Sequence, residues 1–198
     1  MSEASPTRAV VLELKDEQKA MHEGYVFLDE KCLLLAGEIL RELAHYAALD
    51  RALVAAHDVA VAALRAAVAR HGLEDLSVYP PLDQSAARLT RNARSIMGVR
   101  LQDASWESVP EPAPSAVLPS PEAEACRQAF VAVTAAAAPL SAVGGNLERL
   151  SREYRRCVRR ARALSDVLLP ELDRSVQSIE TRLEELEQED AISMRRRA

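Results

Sequence analysis

Residues 159–190 read RRARALSDVLLPELDRSVQSIETRLEELEQED, and this stretch determines what the rest of the chain must do. Its apolar residues recur every three or four positions, which on a helix of 3.6 residues per turn places them along one stripe. Most other positions hold Arg, Asp or Glu, which a long helix keeps in solvent on its outer faces. The stretch therefore predicts a long helix with a single apolar seam. The seam residues are Leu164, Leu168, Leu172, Val176, Ile179, Leu183 and Leu186.

A second stripe with the same spacing runs through the first third of the chain. It predicts a helix from about Thr7 to His71, on the order of 95 Å long at about 1.5 Å per residue, with Gly72 as its C-cap. A helix of that length is not stable alone in water, so its seam needs a partner, and the C-terminal stripe is the obvious one. The seam positions that define this first stripe are Leu28, Cys32, Leu35, Ile39 and Leu43.

The segment between the two stripes has a different character. Its many prolines forbid a long helix, and Ile96 to Leu101 reads as a short extended piece. The predicted fold class is therefore mainly α, with two long helices forming an antiparallel coiled-coil hairpin around a small irregular or β-hairpin middle segment. The chain divides into residues 1–72, the N-terminal long helix, residues 73–120, the middle segment with its Pro-rich loop, and residues 121–198, the C-terminal helical segment.

Three positions in the C-terminal segment interrupt the helical pattern. Pro139 and Gly144-Gly145 leave open whether the second helix is continuous between about residues 138 and 147. Pro170 lacks an N–H and its ring clashes with the preceding turn, which costs a helix about 3 kcal/mol. Something else must hold the helix together there, and a packed partner helix could do so.

Composition and charge exclude several classes of protein. Hydrophobic residues make up 48% of the chain but aromatic residues only 4%, which is typical of long helices. A net charge of −5 argues against nucleic acid as the main partner. The sequence shows neither a signal peptide nor an apolar run of about 18 residues, so we expect a cytoplasmic chain without a membrane span.

The residue patterns of catalytic, metal and cofactor sites are incomplete in this sequence. No Gly-rich loop ends in Lys and Ser or Thr, so the chain is not expected to bind ATP catalytically, and no cofactor is predicted. Glu42 and His45 have the Glu-x-x-His spacing of di-iron bundles, but a second such motif is lacking, so we interpret them as a surface pair beside Tyr46. Cys32, Cys126 and Cys157 predict no disulfide framework; Cys32 and Cys157 fall at seam positions and are expected to be packing residues.

The C-terminal stripe resembles a known family almost register for register. The matching residues are Arg159-Arg160, Ala163-Leu164, Pro170-Glu171-Leu172, Ile179-Glu180, Arg182-Leu183 and Glu189-Asp190. They are similar to the C-terminal helix of the D subunit, the central rotor shaft of the V-type and archaeal-type (A-type) rotary ATPases. The resemblance also covers Pro6 to about Leu43 and Arg94 to Arg100, where the family forms a small β-hairpin beside the shaft.

The resemblance implies a non-catalytic central-stalk subunit, peripheral to the membrane within a membrane-bound complex. Its implied partners are the small F subunit, the nucleotide-binding A/B ring and a funnel-shaped docking subunit on the membrane rotor. Torque would link ATP hydrolysis or synthesis to transport of a proton or sodium ion. The candidate partner interface comprises Ile96, Met97, Val99, Arg155, Arg156, Arg159, Arg160, Arg195 and Arg196.

Two other interpretations stay open from the residues alone. A stand-alone coiled-coil adaptor or scaffold would use the same seams to pair with a second copy of itself, and it would need no nucleotide-binding ring. A metal-binding bundle would carry iron or manganese through Glu42 and His45. The Arg-rich run that contains Arg155 and Arg159 could face an acidic partner or could simply be a solvated face.

Overall fold

The computed structural model describes residues 7–77, 79–80, 87–107, 116 and 118–197. The predicted class is confirmed, because two long helices pack against each other and a two-stranded antiparallel hairpin lies between them in sequence. The elements are α1 (Arg8–Ser77), β1 (Arg88–Ile96), β2 (Val99–Glu107), α2 (Pro121–Ala163), a π-helical segment (Leu164–Leu168) and α3 (Leu169–Arg197).

Both ends of α1 follow from local chemistry. At its start the Val10 N–H donates to the hydroxyl of Thr7 at 3.4 Å, as an N-cap residue does. At its other end Gly72 has a φ of 78°, a left-handed value that residues with a side chain rarely adopt. The helix predicted to end at His71 is therefore interrupted at Gly72, and a short helical continuation runs to Ser77.

The question of continuity in the second helix is answered by α2, which runs through both suspected breaks. Pro139 lies inside the helix. Gly144 lies beside Tyr46, since a Cβ added there would be 3.7 Å from the ring, an ordinary contact distance. A helix that is held by tertiary contacts on one face tolerates such residues, because most helical stability in proteins comes from packing.

Pro170 is accommodated by a change of helix type immediately before it. In the π-helical segment the N–H of Leu169 donates to the carbonyl of Leu164, five residues earlier. The extra residue in this turn shifts the carbonyls that a proline at position 170 would otherwise meet in a regular α-helix. The sequence predicted that something must hold the helix together at Pro170 and offered a packed partner helix as one possibility; the backbone itself does so through the π-helical turn.

The hairpin pairs β1 with β2 in an unbroken antiparallel register, from Arg88 opposite Glu107 to Ile96 opposite Val99. Its two-residue turn is Met97-Gly98, and both residues have positive φ values, 49° and 82°. Tight hairpins favour such turns because their twist matches that of the strands. The prediction of one extended piece from Ile96 to Leu101 is therefore wrong at Met97-Gly98, where the chain reverses.

By spatial proximity the chain forms two compact units. Unit 1 contains residues 1–34 and 153–198, and unit 2 contains residues 35–152. This division is spatial, whereas the three sequence segments proposed above stay a prediction. Residues 108–115 of the Pro-rich loop lie outside the described residues.

Two helical spans, Arg8–Ser77 and Pro121–Arg196, each contain an 18-residue stretch long and apolar enough to cross a membrane. The expectation that no such stretch exists is wrong by this measure of length and composition. Core helices of soluble proteins meet the same measure, so it is weak evidence for a span.

Candidate functional site

The β-hairpin of unit 2 is attached to α1 through a branched ion pair. Arg94 on β1 places Nη1 2.7 Å from Oε1 of Glu38 and Nη2 2.6 Å from Oε1 of Glu42. The two carboxylates are one helical turn apart on α1, and their side chains are only 3% and 5% exposed. Buried carboxylates need a charged partner, so Arg94 serves both.

The ionisation of Arg94 reflects this environment. Burial by itself lowers the pKa of the guanidinium, but the hydrogen bond and charge of Glu38 outweigh it. With further attraction from Glu42, the pKa of Arg94 is raised above its ordinary value. Arg94 therefore stays charged at any pH at which the protein folds, and the ion pair depends on the carboxylates alone.

Asn146 on α2 attaches the second strand. It is fully buried, and its Oδ1 accepts the backbone N–H of Gln102 at 2.8 Å while its Nδ2 donates to the Gln102 carbonyl at 2.9 Å. Nδ2 also lies 3.2 Å from Oε2 of Glu42, and Arg149 donates to Oδ1 at 2.6 Å. One amide thus joins β2, α1 and α2. Together, Glu38, Glu42, Arg94, Gln102 and Asn146 form what we call the hairpin anchor.

Apolar packing supports the hairpin anchor. Val99 and Leu101 on β2 are buried, as are Val143 and Leu150 on α2 in the same unit. The first residues of β2 therefore face the interior, whereas β1 is exposed over nearly its whole length. β2 is consequently packed against the interior of unit 2, whereas β1 is held through Arg94 and is otherwise exposed to solvent.

The predicted interface residues of the hairpin are placed differently from one another. Met97 is at the turn and 39% exposed, and Ile96 is partly buried. Val99 is only 7% exposed, because it packs inside unit 2. Ile96 and Met97 are therefore accessible to a partner, as the predicted interface requires. Val99 is not accessible, and it would affect a partner only by fixing the position of the turn.

The predicted Arg cluster lies on α2 within unit 1. Arg155, Arg156, Arg159 and Arg160 are exposed, and Arg195 and Arg196 are exposed near the end of α3. Two members of the cluster affect the ionisation of Glu153 on the same helix. The pKa of Glu153 is lowered chiefly by its hydrogen bond to Lys31, with smaller contributions from Arg156 and Arg160. The role of these arginines in binding a partner stays a prediction.

The seam of unit 1 is flanked by ion pairs between α1 and the C-terminal helices. Arg8 pairs with Glu187 at 2.6 Å, Lys15 with Glu180 at 2.6 Å and Lys31 with Glu153 at 2.7 Å. The numbers rise along one helix as they fall along the other, which is antiparallel pairing. Seam residues that are buried or partly buried in this unit are Leu28, Cys32, Cys157, Leu164, Leu172, Val176, Ile179 and Leu183.

Other predicted seam residues have more solvent exposure. Leu168 is 40% exposed in the π-helical segment and Leu186 is 46% exposed near the end of α3. In unit 2, Leu35 is fully buried and Ile39 partly so, but Leu43 is 51% exposed. The buried residue at that turn of α1 is Glu42 instead. Whether all these positions act as one coiled-coil seam stays a prediction.

The interpretation of Glu42 and His45 as a surface pair is wrong for Glu42. Its carboxylate is buried in the hairpin anchor, whereas His45 is exposed. Within the described ranges no group of three His, Cys, Asp or Glu side chains could hold a metal ion. Glu42 is thus accounted for by its ion pair with Arg94.

The fold defines a class: two long helices that pack against each other, and a two-stranded hairpin that buried polar contacts attach to the helices within unit 2. The family model that describes the D subunit of ATP synthase matches residues 10–197, so the chain belongs to that family. It is 28% identical to the D subunit of the A-type ATP synthase of Pyrococcus abyssi, over 96% of this chain and 91% of that protein. It is 23% identical to the D subunit of the V-type ATP synthase of Thermotoga neapolitana, over 97% and 95% of the two chains. The resemblance described from the sequence is thereby confirmed.

Proposed function

We propose that the chain is the central rotor shaft of an A/V-type ATP synthase. It transmits torque between the nucleotide-binding A/B ring and the membrane rotor, and it catalyses no reaction itself. The observation that carries this proposal is the antiparallel helix pair of unit 1, with ion pairs on its flanks at three successive levels. Two helices locked side by side resist twisting, which a shaft requires.

Coupling requires that the shaft bias the ring subunits unequally. A ligand or partner shifts a conformational equilibrium only through different contacts with the two states. An asymmetric helix pair within a quasi-threefold ring supplies such differences as it turns. In this proposal, residues 7–13 and 185–197 form the tip inside the ring, and the F subunit and the funnel-shaped docking subunit bind elsewhere along the shaft. The chain is then cytoplasmic and peripheral to the membrane.

The direct test is native mass spectrometry of the chain purified together with the F subunit and the A/B ring. One copy of the chain in each ring supports the shaft, because a central shaft occupies a single axial position. Homodimers that do not bind the ring would instead support the coiled-coil scaffold. Iron or manganese on the purified chain would support the metal-binding bundle.

Deleting residues 185–198 tests the proposed tip. The deletion removes Glu187, the partner of Arg8, but leaves the Lys15–Glu180 pair and the hairpin anchor in place. We expect ion transport per ATP hydrolysed to fall about tenfold, as when contacts that bias a partner's states are removed. The F subunit should still bind. Measurement of ATP hydrolysis and ion uptake in reconstituted vesicles checks this.

A shorter deletion, of residues 193–198, is the matched control. It retains Glu187 and its pair with Arg8 while removing Arg195 and Arg196. Coupling that survives both deletions would contradict the assignment of the tip. Coupling lost equally in both would move the essential contacts to Arg195 and Arg196.

Reversing Arg155, Arg156 and Arg159 to Glu tests the predicted Arg cluster. We expect the affinity for the F subunit to fall about tenfold at physiological salt, since exposed charge pairs each contribute only modestly. The difference should shrink as salt screens it. Isothermal titration calorimetry at two salt concentrations measures both effects.

The control for that experiment reverses Arg174 and Arg182, which are exposed on α3 of the same unit. These residues change the net charge in the same direction without touching the cluster. Unchanged affinity in the cluster variant would show that the cluster is a solvated face. An equal loss in both variants would indicate a general charge effect.

A further inference from the structure

Two cysteines that the sequence separates widely meet in unit 1. Cys32 lies on α1 and Cys157 on α2, and the proximity of Cys157 contributes to raising the pKa of the Cys32 thiol. An independent contact places Cys157 at the same point, because its Sγ donates to the carbonyl of Leu28 at 3.2 Å. That carbonyl is the one that accepts the Cys32 N–H in an α-helix. The Cys157 thiol therefore lies against the turn that carries Cys32.

The surroundings hold the two thiols in register. Lys31, adjacent to Cys32, pairs with Glu153, one turn before Cys157, at 2.7 Å. On the other side, a Cβ added to Gly24 would lie 3.9 Å from Cδ1 of Leu164, so α1 and the C-terminal helices are in van der Waals contact there. A disulfide requires its two Cα atoms to lie within about 7 Å of each other, which contacting helices allow.

We propose that Cys32 and Cys157 are a modification site, at which oxidation forms a reversible disulfide between the two helices of the shaft. The S–S bond forms as the two S–H bonds break. The pair gives up two electrons and two protons, which a two-electron oxidant of the diazene class takes up to become a hydrazine. A dithiol reductant reverses the step by taking the disulfide into its own oxidised form.

Access and ionisation set the conditions under which the site reacts. Cys157 is 2% exposed, but Cys32 is partly exposed, so a small oxidant reaches the pair through Cys32. Burial, with a further contribution from Cys157, raises the pKa of the Cys32 thiol to about 12. At neutral pH Cys32 is therefore protonated. Since thiolates are the attacking species, the pair stays reduced in weak oxidants and oxidises faster as pH rises.

The test uses the isolated full-length chain and diamide as the oxidant. Peptide mapping without reduction should find the Cys32 peptide joined to the Cys157 peptide, and the intact mass should fall by about 2 Da for the two hydrogens lost. The thermal midpoint should rise by about 10 °C, because the cross-link closes a long loop of the unfolded chain. Dithiothreitol should reverse both changes.

Two serine variants are the controls. Cys126→Ser should behave as the wild type, because Cys126 is a buried thiol in unit 2. Cys32→Ser should show neither the mass loss nor the shift of the midpoint. The wild-type peptide map decides the matter even if that variant folds poorly.

Three results would overturn the proposal. The first is that both thiols stay reduced, as read by alkylation of the unfolded chain, after prolonged exposure to diamide at about pH 10, where a thiol with a pKa of about 12 has a small thiolate fraction that is replenished as it reacts. The second is a cross-link that involves Cys126. The third is a cross-link between two chains on a non-reducing gel. All are read on the chain without its partners. Failure of this proposal is therefore distinguishable from failure of the shaft function, which is read in the assembled complex.

Discussion

Arg94→Ala is expected to lower the free energy of unfolding by about 3 kcal/mol, because it leaves the buried Glu42 without its cation and leaves Glu38 with only the exposed Arg41. Glu38 and Glu42 are 3% and 5% exposed at the side chain, whereas Arg94 is 43% exposed. Most of the cost therefore arises from the carboxylates and not from the arginine. Urea denaturation followed by the fluorescence of Trp106, which lies on β2 and is the only tryptophan, measures the loss at the hairpin itself.

Arg91→Ala is the matched control, since Arg91 is exposed on the same strand. It should change stability by less than about 0.5 kcal/mol, as for most surface substitutions. Adding Glu38→Gln and Glu42→Gln to Arg94→Ala should recover part of the loss, because neutral amides cost less to bury than unpaired charges. An Arg94→Ala variant as stable as Arg91→Ala would show that the carboxylates are satisfied by solvent.

The long helices could be predicted from sequence because their signal is periodic and local. The stripes containing Leu35 and Leu164 recur every three or four residues, and Gly72 marks a helix break by its backbone freedom alone. The hairpin was expected from the family resemblance, whereas the local pattern indicated one extended piece that ran through its turn. Methionine rarely adopts a positive φ, so Met97 gives no indication of a turn. Only Gly98, the residue after it, is of a type that favours a positive φ.

The hairpin anchor could not be predicted in the same way, because its members are polar and far apart in sequence. Glu38 and Glu42 follow Leu35 at the spacing of the stripe, yet a search for apolar residues passes over them. The spacing itself indicated that Glu38 and Glu42 lie at seam positions, where a buried carboxylate needs a cation as its partner. The sequence does not show which cation this is, because only the tertiary fold brings Arg94 to α1.

For the second helix, local sequence preference predicted breaks that the structure does not have. Propensity alone argues for breaks at Pro139, Gly144-Gly145 and Pro170, and the helix passes all of them. The neighbours of the small residues at 144 and 145 are the side chains of Tyr46 and Arg149. Gly145 directly precedes Asn146, so the residues that weaken the helix locally belong to the turn that attaches the hairpin. Tertiary contacts override local preference there.

Asn146→Ala should be as damaging as the loss of Arg94, at about 3 kcal/mol, because it strands several buried groups at once. The Gln102 N–H and carbonyl both lose their partner, and Glu42 loses a donor at 3.2 Å. Asn146 is fully buried, so water does not replace these bonds without opening the packing. Asn92→Ala, at an exposed position of β1, is the control and should be nearly neutral.

Combining Asn146→Ala with Arg94→Ala tests whether the hairpin is held by one network or by two separate contacts. Both side chains bond to Glu42, through Oε2 and Oε1 respectively. Residues that share a partner are coupled, so the double variant should lose less stability than the two single losses added together, by about 1 kcal/mol or more. Once either side chain is removed, Glu42 is held by the other side chain alone, so the second removal acts on a contact that is already weakened. Strictly additive losses would instead mean that β1 and β2 are attached independently, and the hairpin could then open one strand at a time.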